Sequence, residues 1–206
     1  MKCIRVRIGM TRSSFKFAIT GGIGSGKSTV AGIIRRRGYA IFSCDEIYKE
    51  LLCRKEFLNK IANEFDGVIK DDGALDKVKL SKIVFEDETA LEKLNSITHP
   101  AIMEEVFKRS NGLKISFTEV PLLFENGFER YFDGVLVILR NLNDRIASVS
   151  QRDKIDAKTV NLRIKSQFNY DNCDFAKYYV IQNNGDFGDL EQKVLQILKN
   201  IEAKYL

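Results

Sequence analysis

Short apolar runs alternate along the chain with stretches in which apolar positions recur at helical spacing. The runs predict five β-strands, at residues 15–20, 39–42, 115–120, 134–139 and 178–181. Helical spacing is clearest at residues 27–37, before a glycine, and from about residue 189 onward. Strands that alternate with helices predict an α/β fold in which helices cover both faces of a five-stranded parallel sheet, a three-layer sandwich.

The segment between the second and third predicted strands breaks this alternation. Residues 44–111 are charged, contain no convincing strand and far exceed an ordinary crossover connection, so they predict an insertion of several short helices. Such an insertion would overhang the carboxyl ends of the strands, where α/β proteins bind ligands. We therefore expect a core made of residues 15–43 and 112–206, a helical subdomain at 44–111, and an N-terminal extension at 1–14.

A glycine-rich turn joins the first strand to the first helix and matches the pattern GxxxxGK[ST]. Its glycines let backbone N–H groups face phosphates, and the helix adds the positive end of its dipole. Lys27 can reach the β- and γ-phosphates, and the Ser28 hydroxyl can ligate Mg²⁺. The sequence therefore predicts a P-loop NTPase that binds ATP with Mg²⁺ through Gly22, Ile23, Gly24, Ser25, Gly26, Lys27, Ser28 and Thr29.

Composition narrows the class of protein further. The chain has 33 basic and 28 acidic residues, and this mild excess suits polyanionic substrates or an ordinary surface. The absence of a concentrated basic tract disfavours a nucleic-acid partner, and no run is apolar enough to predict a membrane span. The four cysteines form no CxxC pair, which disfavours a zinc site and favours a reducing, cytoplasmic location.

Further segments, in order, resemble those of the dephospho-CoA kinase family. The P-loop run TGGIGSGKSTVA is followed by SCD at 43–45, LNSITHP at 94–100, VPLLFE at 120–125, QRD at 151–153 and NNG at 183–185. The resemblance spans about residue 17 to the C-terminus and implies phosphorylation of the ribose 3′-hydroxyl of dephospho-CoA by ATP. It also implies that the insertion binds the acceptor and that about residues 145–168 form a lid. We expect a monomer or a weak homo-oligomer.

The resemblance suggests a catalytic base after the second strand. Asp45 can orient the attacking hydroxyl and accept its proton, although a carboxylate there can also cap the following helix. The family carries Asp-x-Asp at this point, and Ser43 replaces its first aspartate. Glu119, at the end of the third strand, can compensate as a metal ligand or can be an ordinary strand charge.

The predicted lid supplies arginines for the charge on the transferring phosphoryl group. Arg152 lies in the QRD segment and is the predicted catalytic arginine. The family tends to carry another arginine four residues earlier, where this chain has Ser148. Arg145, about one helical turn away, can substitute for it, and Arg163 can close on the nucleotide from the next helix. The alternative interpretation of this region is a basic helix whose arginines are simply exposed to solvent.

The remaining candidates are carried over from the family segments. Those for acceptor binding are His99, which we place at the start of a helix before Pro100, together with Leu122, Leu123, Phe124 and Glu125. The apolar ones can equally belong to the core. The turn Asn183-Asn184-Gly185 can contact the adenine or can simply connect a strand to a helix.

Two other functions stay open at this stage. The first is a P-loop kinase for a nucleoside monophosphate or another small alcohol, which would share the mechanism and differ in the insertion. The second is an ATPase stimulated by nucleic acid, which would hydrolyse ATP without forming a phosphorylated small product. A GTPase is disfavoured because the chain has no NKxD motif.

Overall fold

The computed structural model describes residues 14–206, so the predicted N-terminal extension lies, except for Ser14, outside the described residues. Five parallel strands form one sheet in the order β2-β3-β1-β4-β5. Their bounds are β1 Phe15–Thr20, β2 Ala40–Ser43, β3 Ile115–Glu119, β4 Gly134–Leu139 and β5 Tyr179–Gln182. The predicted five-stranded parallel α/β sandwich is confirmed, and each strand lies within one residue of its predicted bounds.

Side chains of the sheet alternate between two apolar cores. Phe17 and Ile19 of β1 face a core closed by α1 (Lys27–Arg36) and α8 (Phe187–Tyr205). Ala18, between them, faces the opposite core. That second core is shared with the segment between β2 and β3, which contains helices α2 Cys44–Leu51, α3 Lys55–Ala62, α4 Lys77–Glu86 and α5 Glu88–Ser110. The period of two along each strand therefore places the sheet between two helical layers.

Helix α5 runs through the position at which we expected a helix to start. Pro100 lies inside the 23 residues of α5, and His99 is therefore a mid-helix residue, so that expectation was wrong. Proline removes one backbone hydrogen bond and normally breaks a helix. Burial of Met103 and Val106 beyond it, together with packing of α5 against α2 and α4, outweighs this loss.

The region after β4 holds two more helices, α6 Leu142–Asp153 and α7 Ala157–Lys165. Lys154 ends α6 in the left-handed conformation, with φ of 55°, and so allows a sharp reversal into α7. The chain after α7 is rich in aromatic residues and packs around Phe124. Among residues 14–206, no helix is both long and apolar enough to cross a bilayer.

Candidate active site

The P-loop leaves β1 through Gly21, whose φ of +150° and close neighbours exclude a side chain. A Cβ there would collide with the Ile138 carbonyl of β4. Gly26 immediately precedes α1, has φ of +100° and lies against the Asn183 side chain. These two glycines let the loop turn tightly between β1 and α1, and its backbone amides thus gather at the helix N-terminus.

Side chains from distant segments hold the loop in this shape. Gln167, just after α7, accepts a hydrogen bond at 2.8 Å from the Ile23 N–H, and Arg145 Nε donates to the Ile23 carbonyl at 3.0 Å. The Asn183 amide donates to the Ser25 carbonyl at 2.8 Å. The P-loop is thus fixed by α6, by the segment after α7 and by the turn after β5.

Lys27 is folded back onto the loop from the first turn of α1. Its Nζ donates to the carbonyls of Gly21 at 2.7 Å and Gly22 at 3.1 Å. Burial lowers the pKa of Lys27 to about 8, although the carboxylates of Glu119 and Asp45 oppose that shift. Burial also raises the pKa of Glu119, and the nearby Lys27 charge limits the rise. A partly desolvated cation and carboxylate therefore face each other beside the P-loop.

These groups line a cavity of about 540 Å³, which we name the phosphate cavity. Its floor is the P-loop and the start of α1, including Lys27 and Ser28, whose hydroxyl is exposed. Its wall toward the sheet carries Asp45, Glu119 and Pro121, and its wall toward α6 carries Arg140, Ser148, Arg152 and Gln167. Three cationic side chains, Lys27, Arg140 and Arg152, therefore border this space beside the P-loop, and a polyphosphate needs such positive charge.

Asp45 occupies the second position of α2, directly after β2. Ser43 caps this helix, because its hydroxyl accepts a hydrogen bond from the Glu46 N–H at 3.4 Å. The exposed Asp45 side chain borders both the phosphate cavity and a second cavity of about 260 Å³, which we name the inner groove. Pro121 borders both as well. Asp45 therefore lies where a ligand of the helical segment would meet a bound phosphate.

The inner groove runs between the chain that follows β3, at residues 120–128, and residues 94–102 of α5. His99 and Asn126 border it, and they also border a wider cavity of about 640 Å³, the outer groove, which Arg130 lines on its far side. The His99 ring makes an edge contact with Phe128 at 4.8 Å between centroids, and burial lowers the pKa of His99. The two grooves form one path that leads from the surface of α5 to Asp45.

Comparison with known proteins assigns this arrangement to a family. The family model described as dephospho-CoA kinase matches residues 16–189, which is most of the chain. The chain belongs to the dephospho-CoA kinase family. It is 34% identical to the dephospho-CoA kinase of Fusobacterium nucleatum over 186 residues, which are 89% of this chain and 96% of the relative. It is 36% identical to one from Corynebacterium glutamicum over 193 residues, which cover 90% and 99% of the two chains.

A solved structure supports the same family. The dephospho-CoA kinase from Campylobacter jejuni superposes with a TM-score of 0.65 at 28% identity, over 93% of this chain and 98% of that one. Its near-complete coverage includes the insertion between β2 and β3 as well as the P-loop core. Family membership confirms the resemblance seen in the sequence.

The predicted lid arginines of this kinase lie in different environments. Arg152 lines the phosphate cavity and forms a bidentate pair with Asp153, with Nε–Oδ1 of 2.7 Å. Arg163 forms an ion pair with the same Asp153 carboxylate at 3.1 Å and does not line the cavity. Arg145 is 4% exposed and lies against the P-loop at Gly22, where it supports the loop rather than facing the cavity. Of these three, only Arg152 is placed to meet a phosphate directly.

The segment Leu122–Glu125 of the kinase divides between groove and core. Leu122 is exposed and borders the inner groove, whereas Leu123 is fully buried. Phe124 lies at the centre of the aromatic cluster that follows α7, with the Phe168 ring at 5.0 Å. Glu125 accepts a hydrogen bond from the Phe168 N–H at 2.9 Å. In this arrangement, Phe124 and Glu125 hold the base of the predicted lid and do not line the groove.

The turn after β5 supports the nucleotide region through its side chains. The Asn184 carboxamide oxygen accepts a hydrogen bond from the Asn141 N–H at 2.9 Å, at the start of α6. Asn183 is bonded to the P-loop as described above, and Gly185 lies against the Asp189 carboxylate of α8. The sequence analysis did not identify Arg140 or Asn126. A lone arginine after a strand and an asparagine in a turn resemble ordinary surface residues, and only the fold brings them to the cavities.

Proposed function

We propose that this chain carries out the reaction of its family and transfers the γ-phosphoryl group of ATP to the ribose 3′-hydroxyl of dephospho-CoA. The products are CoA and ADP, and the reaction is the last step of coenzyme A biosynthesis. One observation carries the assignment of roles: Asp45 borders both the phosphate cavity and the inner groove. A hydroxyl presented through the groove and a γ-phosphate held by the P-loop would both reach this carboxylate.

The P-loop residues bind the triphosphate in this proposal. Backbone amides from Gly22 to Thr29 face its oxygens, and Lys27 leaves the carbonyls of Gly21 and Gly22 to bind the β- and γ-phosphates. This exchange replaces two neutral acceptors with charged ones, which favours the protonated form of the buried amine. Arg152 faces the charge that spreads over the transferring oxygens, and Asn183 and Asn184 hold the loops that surround the nucleotide.

The oxygen donors of the phosphate cavity fit a magnesium ion. The Ser28 hydroxyl and the Glu119 carboxylate line the cavity, and among residues 14–206 no cluster of three or more metal-binding side chains occurs. This sparse set is typical of Mg²⁺, which keeps most of its ligands from substrate phosphates and water. When bound, the ion would neutralise charge on the β- and γ-phosphates.

Asp45 acts on the acceptor. It accepts a hydrogen bond from the 3′-hydroxyl, orients that oxygen toward the γ-phosphorus and takes up its proton as the bond to phosphorus forms. His99 and Leu122 line the path by which the acceptor arrives, and helices α2–α5 provide its walls. The helices α6 and α7, with the segment to Phe168, form the lid.

The test is an assay with Mg-ATP and a panel of acceptors, followed by the mass of each acceptor and by ADP release. The panel contains dephospho-CoA, nucleoside monophosphates, simple alcohols and short nucleic acids. A gain of one phosphoryl group on dephospho-CoA is expected, with a fall in kcat of about 10²–10⁴-fold in Asp45→Asn. Glu46→Gln, at the next position of the same helix, is the matched control and should keep its rate.

Three results would contradict the proposal in different ways. Phosphorylation of another acceptor alone would retain the P-loop kinase and remove the assignment of dephospho-CoA. ADP release that nucleic acid stimulates, without any phosphorylated acceptor, would indicate an ATPase. An Asp45→Asn variant with full activity would remove the role of Asp45 as base and leave the choice of substrate untouched.

A further inference from the structure

A second arginine reaches the phosphate cavity from the turn between β4 and α6. The side chain of Arg140 lines the cavity together with Lys27 and Arg152. Its Nη1 donates a hydrogen bond to the Ser148 hydroxyl at 2.9 Å and a longer one to the Gly24 carbonyl of the P-loop at 3.4 Å. The guanidinium is therefore held at the edge of the P-loop, in contact with the residue that stands where the family tends to carry an arginine.

The charge of Arg140 is not balanced within the part of the chain that the structure describes. Across residues 14–206, none of its nitrogens forms an ion pair, and its buried Nε has no hydrogen-bond partner. Arg152, by contrast, is neutralised by Asp153. A charged group whose buried N–H lacks a hydrogen-bond acceptor, and which has no countercharge, raises the free energy of the folded state unless a ligand compensates it. Because the Arg140 side chain borders the phosphate cavity, an anion bound there would supply the missing countercharge to the guanidinium.

We propose that Arg140 is a catalytic residue that contacts the phosphates of ATP, and that Ser148 positions it. The guanidinium that the family tends to supply from position 148 comes here from position 140, and the serine has become its hydrogen-bond acceptor. Because only Nη1 is engaged, the guanidinium keeps the donors of Nη2 for a charge-assisted hydrogen bond to a phosphate oxygen.

Arg145 does not take this role, although it is nearer to position 148 along the helix. It is 4% exposed and is committed to the Ile23 carbonyl. Its guanidinium lies against Gly22, and Arg145 is not among the residues that line the phosphate cavity. Helical spacing from position 148 therefore selects the wrong arginine, Arg145. The path of the chain after β4 instead brings Arg140 to the phosphate cavity.

The inference rests on the proposed function, because it takes the bound polyphosphate to be ATP. The experiment separates a failure of the role of Arg140 from a failure of the proposed reaction. The affinity for ATP and the rate of phosphorylation of dephospho-CoA are measured for wild type, Arg140→Met, Ser148→Arg and the double variant. Arg140→Met should lower kcat/KM about 100-fold and weaken ATP binding, as loss of a charged contact to a phosphoryl group does. The double variant should regain activity to within about tenfold of wild type, because it returns a guanidinium to position 148.

Controls distinguish a contact with phosphate from a role in folding. Arg37→Met removes an exposed arginine that follows α1 and does not line the cavity, and this variant should stay within about threefold of wild type. Thermal unfolding is followed for every variant, and Ser148→Ala should lose activity less than Arg140→Met does. If Arg140→Met does not fold, Arg140→Lys carries the test, since it keeps the charge and removes the fork.

The outcomes are as follows. A folded Arg140→Met with wild-type kcat/KM and ATP affinity overturns the proposal, and so does wild-type activity of Arg140→Lys where that variant carries the test. A double variant as inactive as Arg140→Met, although folded, overturns the relocation of the guanidinium. If wild type does not phosphorylate dephospho-CoA, the proposed substrate fails, and the ATP affinities alone then decide for or against Arg140. Weakened ATP binding in Arg140→Met that is restored in the double variant supports the proposal in either case.

Discussion

The side-chain oxygen of Gln167 accepts a hydrogen bond at 2.8 Å from the backbone N–H of Ile23, 144 residues earlier in the chain. The next residue, Phe168, donates its N–H to Glu125, and Tyr170 shares a hydrogen bond of 3.0 Å with Thr20 at the end of β1. The segment after α7 is thereby fastened to the P-loop, to β1 and to the chain after β3. The predicted lid is thus hydrogen-bonded to the P-loop through this one segment.

Replacement of Gln167 should weaken nucleotide binding, and a negatively charged replacement should weaken it more than a neutral one. Gln167→Ala removes one neutral hydrogen bond and should raise the Kd for ATP about three- to tenfold. Gln167→Glu keeps an acceptor but adds a negative charge beside the phosphates, and it should bind ATP more weakly still, most clearly at low salt. Calorimetric titration at two ionic strengths checks both variants. Gln151→Ala, an exposed change on α6, is the control, and tighter binding by Gln167→Glu would contradict the prediction.

Lys27 should make ATP binding depend on pH in the alkaline range. Its pKa in the free enzyme is about 8, below the usual 10.5, because burial disfavours the charged amine. Above pH 8 the free amine is mostly neutral, so ATP must bind together with a proton and the affinity should fall by up to about tenfold per pH unit. Lys27→Arg stays charged throughout and should show weaker but flat binding between pH 8 and 10. A flat profile for wild type would contradict the low pKa.

If Mg²⁺ binds beside Glu119 as proposed, Ser43→Asp should lower the concentration of Mg²⁺ needed for activity. Ser43 pairs in register with Glu119 on the neighbouring strand, so an aspartate there would place a second carboxylate beside the predicted metal ligand. Aspartate caps helices as well as serine does, so α2 should be retained. We expect half-maximal activity at a several-fold lower Mg²⁺ concentration. Ser43→Ala should leave the Mg²⁺ requirement unchanged and cost about 1 kcal/mol of stability through loss of the cap.

Glu105→Gln should destabilise the protein above about pH 5 and have little effect in strong acid. Glu105 accepts hydrogen bonds from Arg54 at 2.9 Å and Arg109 at 3.1 Å, and these bonds lower its pKa from 4.5 to about 2. As the pH falls, Glu105 in the unfolded chain is therefore protonated first, while Glu105 in the folded protein is still charged. The stabilisation is complete above pH 4.5 and disappears as the pH falls through 4.5 toward 2.

Denaturant unfolding at pH 7 and pH 3 measures this effect. At pH 7 we expect a loss of roughly 2 kcal/mol in Glu105→Gln, as for a hydrogen bond between charged groups. The difference from wild type should shrink at pH 3. Glu104→Gln, an exposed change one residue earlier, should change neither value. An equal loss at both pH values would mean that packing, and not charge, accounts for the effect.

The sheet could be predicted because its signals are local. The apolar runs of β1 and β4 match their predicted bounds, and the P-loop glycines appear between a strand and a helix, where their pattern is diagnostic. The course of α5 could not be predicted, because the disruption by Pro100 is offset by packing against α2 and α4, which the local sequence does not reveal.

Roles of individual site residues were predictable only where a motif names them. Lys27 follows β1 through the P-loop and Asp45 follows β2, so the carboxyl ends of two parallel strands bring both residues to one cavity. Arg145 and Arg140 could not be told apart, because which arginine faces the phosphates depends on the path of the turn after β4. The pairing of Gln167 with Ile23 depends on contacts across 144 residues and leaves no local pattern.

Helix α5 carries His99 at the grooves and Glu105 in the ion-pair network that joins it to α2 and the start of α3. Six residues of helix separate the two by about 9 Å along a single rod. In the proposed acceptor path, the wall that α5 forms is therefore rigid and does not adjust one residue at a time. A truncated acceptor cannot draw this wall inward by local yielding, so the cost of a missing group should appear in the rate as well as in the affinity.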